Sequence, residues 1–180
     1  MLLNYQKTKI LKYKMPKLLK LKKGHILRIK IDDINFAYCV FIGNGYLGFF
    51  DLLSDEEISI LDIIKNELLF VAHANLNYNP DKHLWSIIGL VENRLDIDYS
   101  KVGWFFRTDV FSRKILKYHF LTQDKTFDIT KEQIKDLDVD LMLPVSQLIS
   151  KFNYLILGEV WPFSLRSKQI AFSNLNLLEK

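Results

Sequence analysis

The chain has a single cysteine, Cys39, in 180 residues, which rules out an internal disulfide framework and any zinc site built from cysteines. Its four prolines and seven glycines form no rich stretch, so neither an internal repeat nor a low-complexity linker is visible. No apolar run approaches the roughly 18 residues that a membrane-crossing helix needs. The N-terminal lysines precede no uninterrupted apolar stretch of signal-peptide length, so export by that route is not expected and a cytoplasmic location is. Signatures of catalysis are equally scarce. There is no G-x-S-x-G elbow, no H-x-H and no H-E-x-x-H, and His25, His73, His83 and His119 sit in no Cys/His cluster. His73 and His83 flank the loop "NLNYNPDK", and both read as ordinary strand-edge histidines. Cys39 lies in the apolar run "FAYCVFIG", where a buried, unactivated thiol is inert. No metal and no cofactor is expected.

What is present is a globular composition, 49% hydrophobic and 26% charged, on a chain long enough for one domain with a sizeable core. The net charge of +4 hides an asymmetry. Residues 1–23 carry eight lysines and no acid, while residues 24–180 carry an excess of four acids. The expected organisation is therefore a basic N-terminal extension, 1–23, and a single α+β domain, 24–180. Pro16 interrupts the extension, because it removes an amide donor and disfavours helical geometry at Met15. The extension reads first as a solvated arm, with contact to nucleic acid or an anionic membrane surface through its lysines as the alternative.

From Gly24 the hydrophobic period is two. In "GHILRIKIDD" Leu27, Ile29 and Ile31 face one way and Arg28 and Lys30 the other, which predicts a strand. "FAYCVFI" is apolar on both faces, as a central strand is, and "YLGFFDL" is a third strand. The stretch between them, "GNGYLG", matches the G-x-G-x-x-G pattern of dinucleotide sites. Such a site requires a helix opening out of the glycine loop. Tyr46, Leu47, Phe49 and Phe50 favour a strand instead, so the glycines are expected to turn a hairpin in a three-strand meander.

Further on, "SDEEISILDIIKNE" predicts a helix opened by a Ser54–Glu57 capping box. "LLFVAHANL", "HLWSIIGLV", "GWFFRTD" and "RKILKYHFL" predict strands, the last two joined by a turn at residues 111–113. "DITKEQIKDL" predicts a helix with a Thr130–Gln133 capping box, and "PVSQLISKFNYLIL" a helix stopped by Gly158. The fold class is α+β: a strongly bent, partly barrelled antiparallel sheet with helices added mainly in the C-terminal third.

Carboxylates occur in "LSDEEIS", "LDIDYS" and "KDLDVDL". Paired general acids and bases need a cleft that separates their pKa values. Acids at a helix start instead complement its positive end, and the alternation in "DLDVD" suits an exposed edge. The aromatics sit at core-like positions rather than interleaved with arginines. Trp85 and Trp104 read as core anchors, with an exposed binding role for one as the alternative. The residues thus describe a domain that works by its surface and performs no catalysis.

Several blocks, in order, resemble the immunity protein 26 family of bacterial polymorphic toxin systems. "KKGHILRIKIDDINFAYCVFIGNGYLGFFDL" is similar to its first three strands through Gly24, Ile29, Tyr38, Phe49, Phe50 and Asp51. "HLWSIIG" resembles its Trp-containing strand through Trp85, Ile88 and Gly89. "GWFFRTD" is similar to its aromatic pair before an acid through Phe105, Phe106 and Asp109, and "ITKEQIKDLDV" to its late helix start. The likeness spans roughly residues 20 to 150. His25 departs from an acidic position of the pattern, and Cys39 from one where glycine is commoner. The resemblance implies an antitoxin that binds a cognate toxin domain and blocks it, without catalysis or cofactor. Many such toxins are nucleases with basic clefts, for which acids are natural contacts. The positions favoured for steering are Asp55, Glu56 and Glu57, then Asp136, Asp138 and Asp140.

Overall fold

In a computed structural model of the chain, residues 21–91, 97–109, 112, 114–130, 132–134 and 137–158 are described. The basic extension up to residue 20, the apex of the expected turn near residue 111 and the tail from residue 159 lie outside them.

Three antiparallel strands open the fold: β1 (His25–Lys30), β2 (Phe36–Gly43) and β3 (Tyr46–Ser54). Asn44 and Gly45 turn β2 into β3 with φ of 51° and 81°, the paired positive angles that let a two-residue turn follow the natural twist of a hairpin. "GNGYLG" is a hairpin, with strand and no helix after its glycines.

The chain continues through a short helix α1 (Ile60–Ile63) to β4 (Leu68–Asn75) and, past a 3-10 turn over Asn79–Leu84, to β5 (Trp85–Leu90). The sheet closes on β10 (Leu143–Pro144), giving the order β10-β4-β3-β2-β1-β5. A second sheet holds β6 (Trp104–Asp109), β7 (Lys114–His119), β8 (Thr126–Ile129) and β9 (Asp138–Val139) in the order β8-β7-β6-β9. Pairing is antiparallel except at the two short edges, where β10 runs parallel to β4 and β9 parallel to β6. Bulges at Ile26/Leu27, Ala37/Cys39, Phe41/Gly43 and Phe49/Phe50 curl the larger sheet. The α+β class with a bent, half-barrel antiparallel sheet therefore holds, its strands shared between two sheets.

The larger sheet is buried on both faces. On one, Leu27, Ile29, Cys39, Leu47 and Phe49 meet the helix α2 (Val145–Leu157) through Leu148 and Phe152. On the other, Ile26, Tyr38, Val40 and Phe50 meet Phe105 and Tyr118 of the second sheet and Ile63 of α1. The second sheet's outer face packs Phe106 and Ile115 against Ile134 and Leu137. This layering explains why β2 reads as apolar throughout. Gly158 stops α2 in the left-handed region, at φ 70°.

Two expected helices are corrected. The segment from Ser54 is not one helix, because β3 runs on through Ser54 to pair with Phe36, and α1 starts only after Ser59. In the "DITKEQIKDL" segment the described residues form a 3-10 turn over Glu132–Ile134, preceded by the unforeseen strand β8, in place of a helix from Asp128. Half of its capping box survives: the Gln133 side chain accepts from the Thr130 amide at 2.9 Å. Among the described residues no helix is long and apolar enough to cross a membrane.

Candidate functional site

Between β3 and α1 the chain crosses the sheet as a strap that carries the densest run of acids. It is held by its backbone. Ser54 Oγ accepts from the Glu56 amide at 3.0 Å, and the buried Tyr38 hydroxyl donates to the Glu56 carbonyl at 3.2 Å. The side chains of Asp55, Glu56 and Glu57 are left exposed. Glu57 approaches Arg28 at 3.5 Å while 93% exposed, so that ion pair is weak and does not occupy the carboxylate. Burial comes first in pushing the Tyr38 phenol above its ordinary range, which keeps it a donor to the strap.

The strap is anchored where α1 begins. Ser59 caps the helix by accepting from the Asp62 amide at 3.2 Å and donates to Asp62 Oδ2 at 2.6 Å; Lys65 holds Oδ1 at 2.6 Å. The Lys65 hydrogen bond, then that of Ser59, holds the Asp62 carboxyl below its usual range. Ile60 lies directly over Gly89 of β5, where a Cβ would come within 2.1 Å of Ile60 Cδ1. The glycine at the end of the Trp-containing strand is thus what lets α1 dock on β5. Residues 51–67 hold six carboxylates, Asp51 among them, and one lysine.

At the far end of this segment a cleft of about 240 Å³ lies between Ile64–Leu68 and Ile97–Val102. Lys65, Lys101, Glu67 and Asp98 line it with charges of both signs. Among the described residues no three His, Cys, Asp or Glu side chains are placed to share a metal ion.

The second acidic group is placed differently. Asp136 lies outside the described residues. Asp138 accepts from Lys151 Nζ at 2.6 Å; this lysine of α2 is 6% exposed and also caps the Phe70 ring at 4.5 Å. Asp140 sits on the crossover from β9 to β10. Its Oδ2 accepts from the Tyr46 hydroxyl at 3.0 Å and from the Tyr118 hydroxyl. Its buried Oδ1 has no hydrogen-bond partner among the described residues and faces His73 Nδ1 at 3.5 Å. Gln123 donates to the Tyr46 oxygen at 3.1 Å, and His73 stacks on the Tyr46 ring. Burial first, then the Asp140 charge and hydrogen bonds, push both phenols well above their ordinary range. They remain protonated donors to one carboxylate and tie the two sheets together.

The remaining motif residues build scaffold. Gly24 adopts φ +93°, and a Cβ there would lie 2.3 Å from the Val91 carbonyl oxygen. Phe49 stacks on Phe70 at 4.6 Å, and Phe50 is fully buried. Asp51 is exposed, its amide bonded to the Glu67 carbonyl. Trp85 is half-buried against the α2 side of the core, with a buried Nε1 that finds no partner among the described residues. Trp104 is half-buried too and donates to the Ser100 carbonyl. Cys39 is fully buried, and burial pushes its thiol far up. His25 Nδ1 accepts from the Lys22 amide, and His119 Nε2 bridges the Tyr99 and Val102 carbonyls.

Sequence reasoning missed Asp81. It is 5% exposed and accepts from both the Ser146 amide and hydroxyl, capping α2 from a distant turn. It missed Tyr46, Tyr118 and Lys151 as polar partners as well. The one available signal was an acid alternating with apolar residues in "DLDVD", which marks an edge strand without showing what covers it.

The family model for immunity protein 26 matches residues 22–117. That is more than half of the chain, running from the turn before Gly24 into β7, and the chain belongs to this family. No curated protein and no solved structure gives a significant match.

Proposed function

We propose that this member of the immunity protein 26 family is an antitoxin, binding a toxin domain in a one-to-one complex and blocking it without turnover. The observation that carries this reading is the family match across the meander, the strap and the Trp-containing strand. The physical features agree with it. A stoichiometric inhibitor needs a rigid scaffold and one complementary patch. Backbone bonds from Tyr38 and Ser54 hold the strap, and its carboxylates point outward at little cost in side-chain order.

The patch is best suited to a basic partner. Asp55, Glu56 and Glu57, with Asp51 and Glu67 on the same segment, present negative charge of the sort that fits a cleft built for phosphates. The toxin class put forward is therefore a nuclease. Asp138 and Asp140, engaged by Lys151 and by two tyrosines, position the scaffold; the strap acids do the steering.

Co-expression tests the proposal. A toxin domain encoded beside this chain kills the host when expressed alone, and the chain restores growth in proportion to its dose. Absence of both rescue and complex formation with that toxin overturns the reading.

A further inference from the structure

We propose that β8 is a self-association edge, through which two copies of this chain join their smaller sheets into one continuous sheet. The inference stands apart from the antitoxin reading and uses a different face of the molecule.

Among the described residues β8 is the outer strand of the second sheet and pairs only with β7, placing Phe127 beside Lys117 and Thr126 beside Tyr118. Alternate residues of such a strand aim their N–H and C=O groups away from the sheet, a template for another strand. No backbone bond from residues 126–129 to any element other than β7 is present among the described residues. Of the usual guards β8 carries only a charge, Asp128, which Lys114 pairs. β8 contains no proline, no lysine and no bulge. By contrast β9 and β10, edges of the same molecule, are only two residues long.

The occupant is set by what β8 presents. Phe127 is 55% exposed and is the one large hydrophobic side chain standing exposed on a strand among the described residues. It extends a row on the outer face, lying 6.4 Å from Trp104, over which Lys117 is placed at 4.4 Å.

An antiparallel partner across a two-fold axis must keep like faces together, which allows two central registers. One sets Asp128 against Asp128 of the second copy, and that repulsion excludes it. The other sets Phe127 against its own counterpart, Thr126 against Asp128, and Lys125 against Ile129. No like charges then oppose one another, the hydroxyl of Thr126 meets a carboxylate, and the aromatic row runs unbroken from one Trp104 to the other. A chain that complements itself in this way needs no foreign strand.

A four-residue edge buries less than the area of a standard stable interface, so the dimer is weak, with a dissociation constant of about 0.1 mM. Sedimentation equilibrium of the full chain up to about 1 mM is expected to show a monomer–dimer equilibrium, which Phe127→Asp shifts to monomer. Phe127 is more than half exposed, so the variant stays folded and its melting temperature falls by no more than a few degrees.

A second measurement does not depend on that variant's behaviour. Phe127→Cys places thiols directly opposite each other, whereas Lys125→Cys places them four residues out of register. Under mild oxidation Phe127→Cys is expected to cross-link at least tenfold faster, since the buried Cys39 does not compete. A monomer throughout the range, a dimer indifferent to Phe127→Asp, or equal cross-linking rates each overturn the proposal.

Discussion

The Tyr118 hydroxyl, on the smaller sheet, donates a hydrogen bond to the Asp140 carboxylate. The same carboxylate oxygen accepts from Tyr46 on the larger sheet, so one side chain staples both layers. Replacing Asp140 with alanine leaves two phenols without their acceptor in a largely apolar interface. The expected loss is about 2–4 kcal/mol in chemical denaturation. Asp140→Asn keeps one acceptor oxygen and loses less. A double-mutant cycle with Tyr118→Phe is expected to show coupling of about 1 kcal/mol or more.

The same staple sets an alkaline limit. Tyr46 and Tyr118 have phenol pKa values raised by burial and by Asp140, so the folded state retains protons that the unfolded chain releases above about pH 10. Their contribution is intact below that pH and is lost as pH rises beyond it. Stability is expected to fall by about 1.4 kcal/mol per pH unit for each phenol, and Tyr118→Phe removes one share of the slope. Urea melts between pH 9 and 11 measure this.

Glycines in similar backbone geometry are expected to respond differently to alanine. Gly43, at φ +121°, has open space around the added Cβ, whereas Gly24, at φ +93°, has the Val91 carbonyl oxygen 2.3 Å away. Gly43→Ala is expected to cost about 1 kcal/mol of backbone strain. Gly24→Ala adds the displacement of β5 from β1 and costs about 3 kcal/mol or more. Thermal melts of the two variants side by side check the ordering.

The meander was legible because its information is local. Alternation in Leu27–Arg28–Ile29 fixes a face, "NG" at residues 44–45 fixes the turn, and Gly158 fixes the end of α2. The failures came where distant partners decide. Ser54 and Glu57 form a sound local capping pattern, yet strand pairing with Phe36 claims Ser54 and delays the helix to Ser59. β8 is four residues long and mostly exposed, so it left no period to read. The partners of Asp138 and Asp140 were equally out of reach: Lys151, Tyr46 and Tyr118 lie 13, 94 and 22 positions away. No spacing rule reaches that far. The exposure of Asp55–Glu57 could be read as solvated charge, but not its rigid backbone, which Tyr38 supplies.

If the strap steers a basic toxin, charge reversal there acts on association. Asp55→Lys, Glu56→Lys and Glu57→Lys together are expected to slow the on-rate at least tenfold at low salt, with the deficit shrinking as ionic strength rises. Folding stability is expected to stay near wild type, because these side chains are exposed. Asp138→Ala gives the opposite pattern: it removes one hydrogen-bond partner of the buried Lys151, lowers stability by about 1–2 kcal/mol, and leaves the salt dependence of association intact. Stopped-flow association against salt, paired with urea melts, separates the two.

Calorimetric titration of the full chain into the purified toxin domain encoded beside it bears most directly on the antitoxin account. The expected result is a stoichiometry of one, with an affinity in the nanomolar range and loss of toxin activity that tracks occupancy. A flat titration with a folded, active toxin would contradict it.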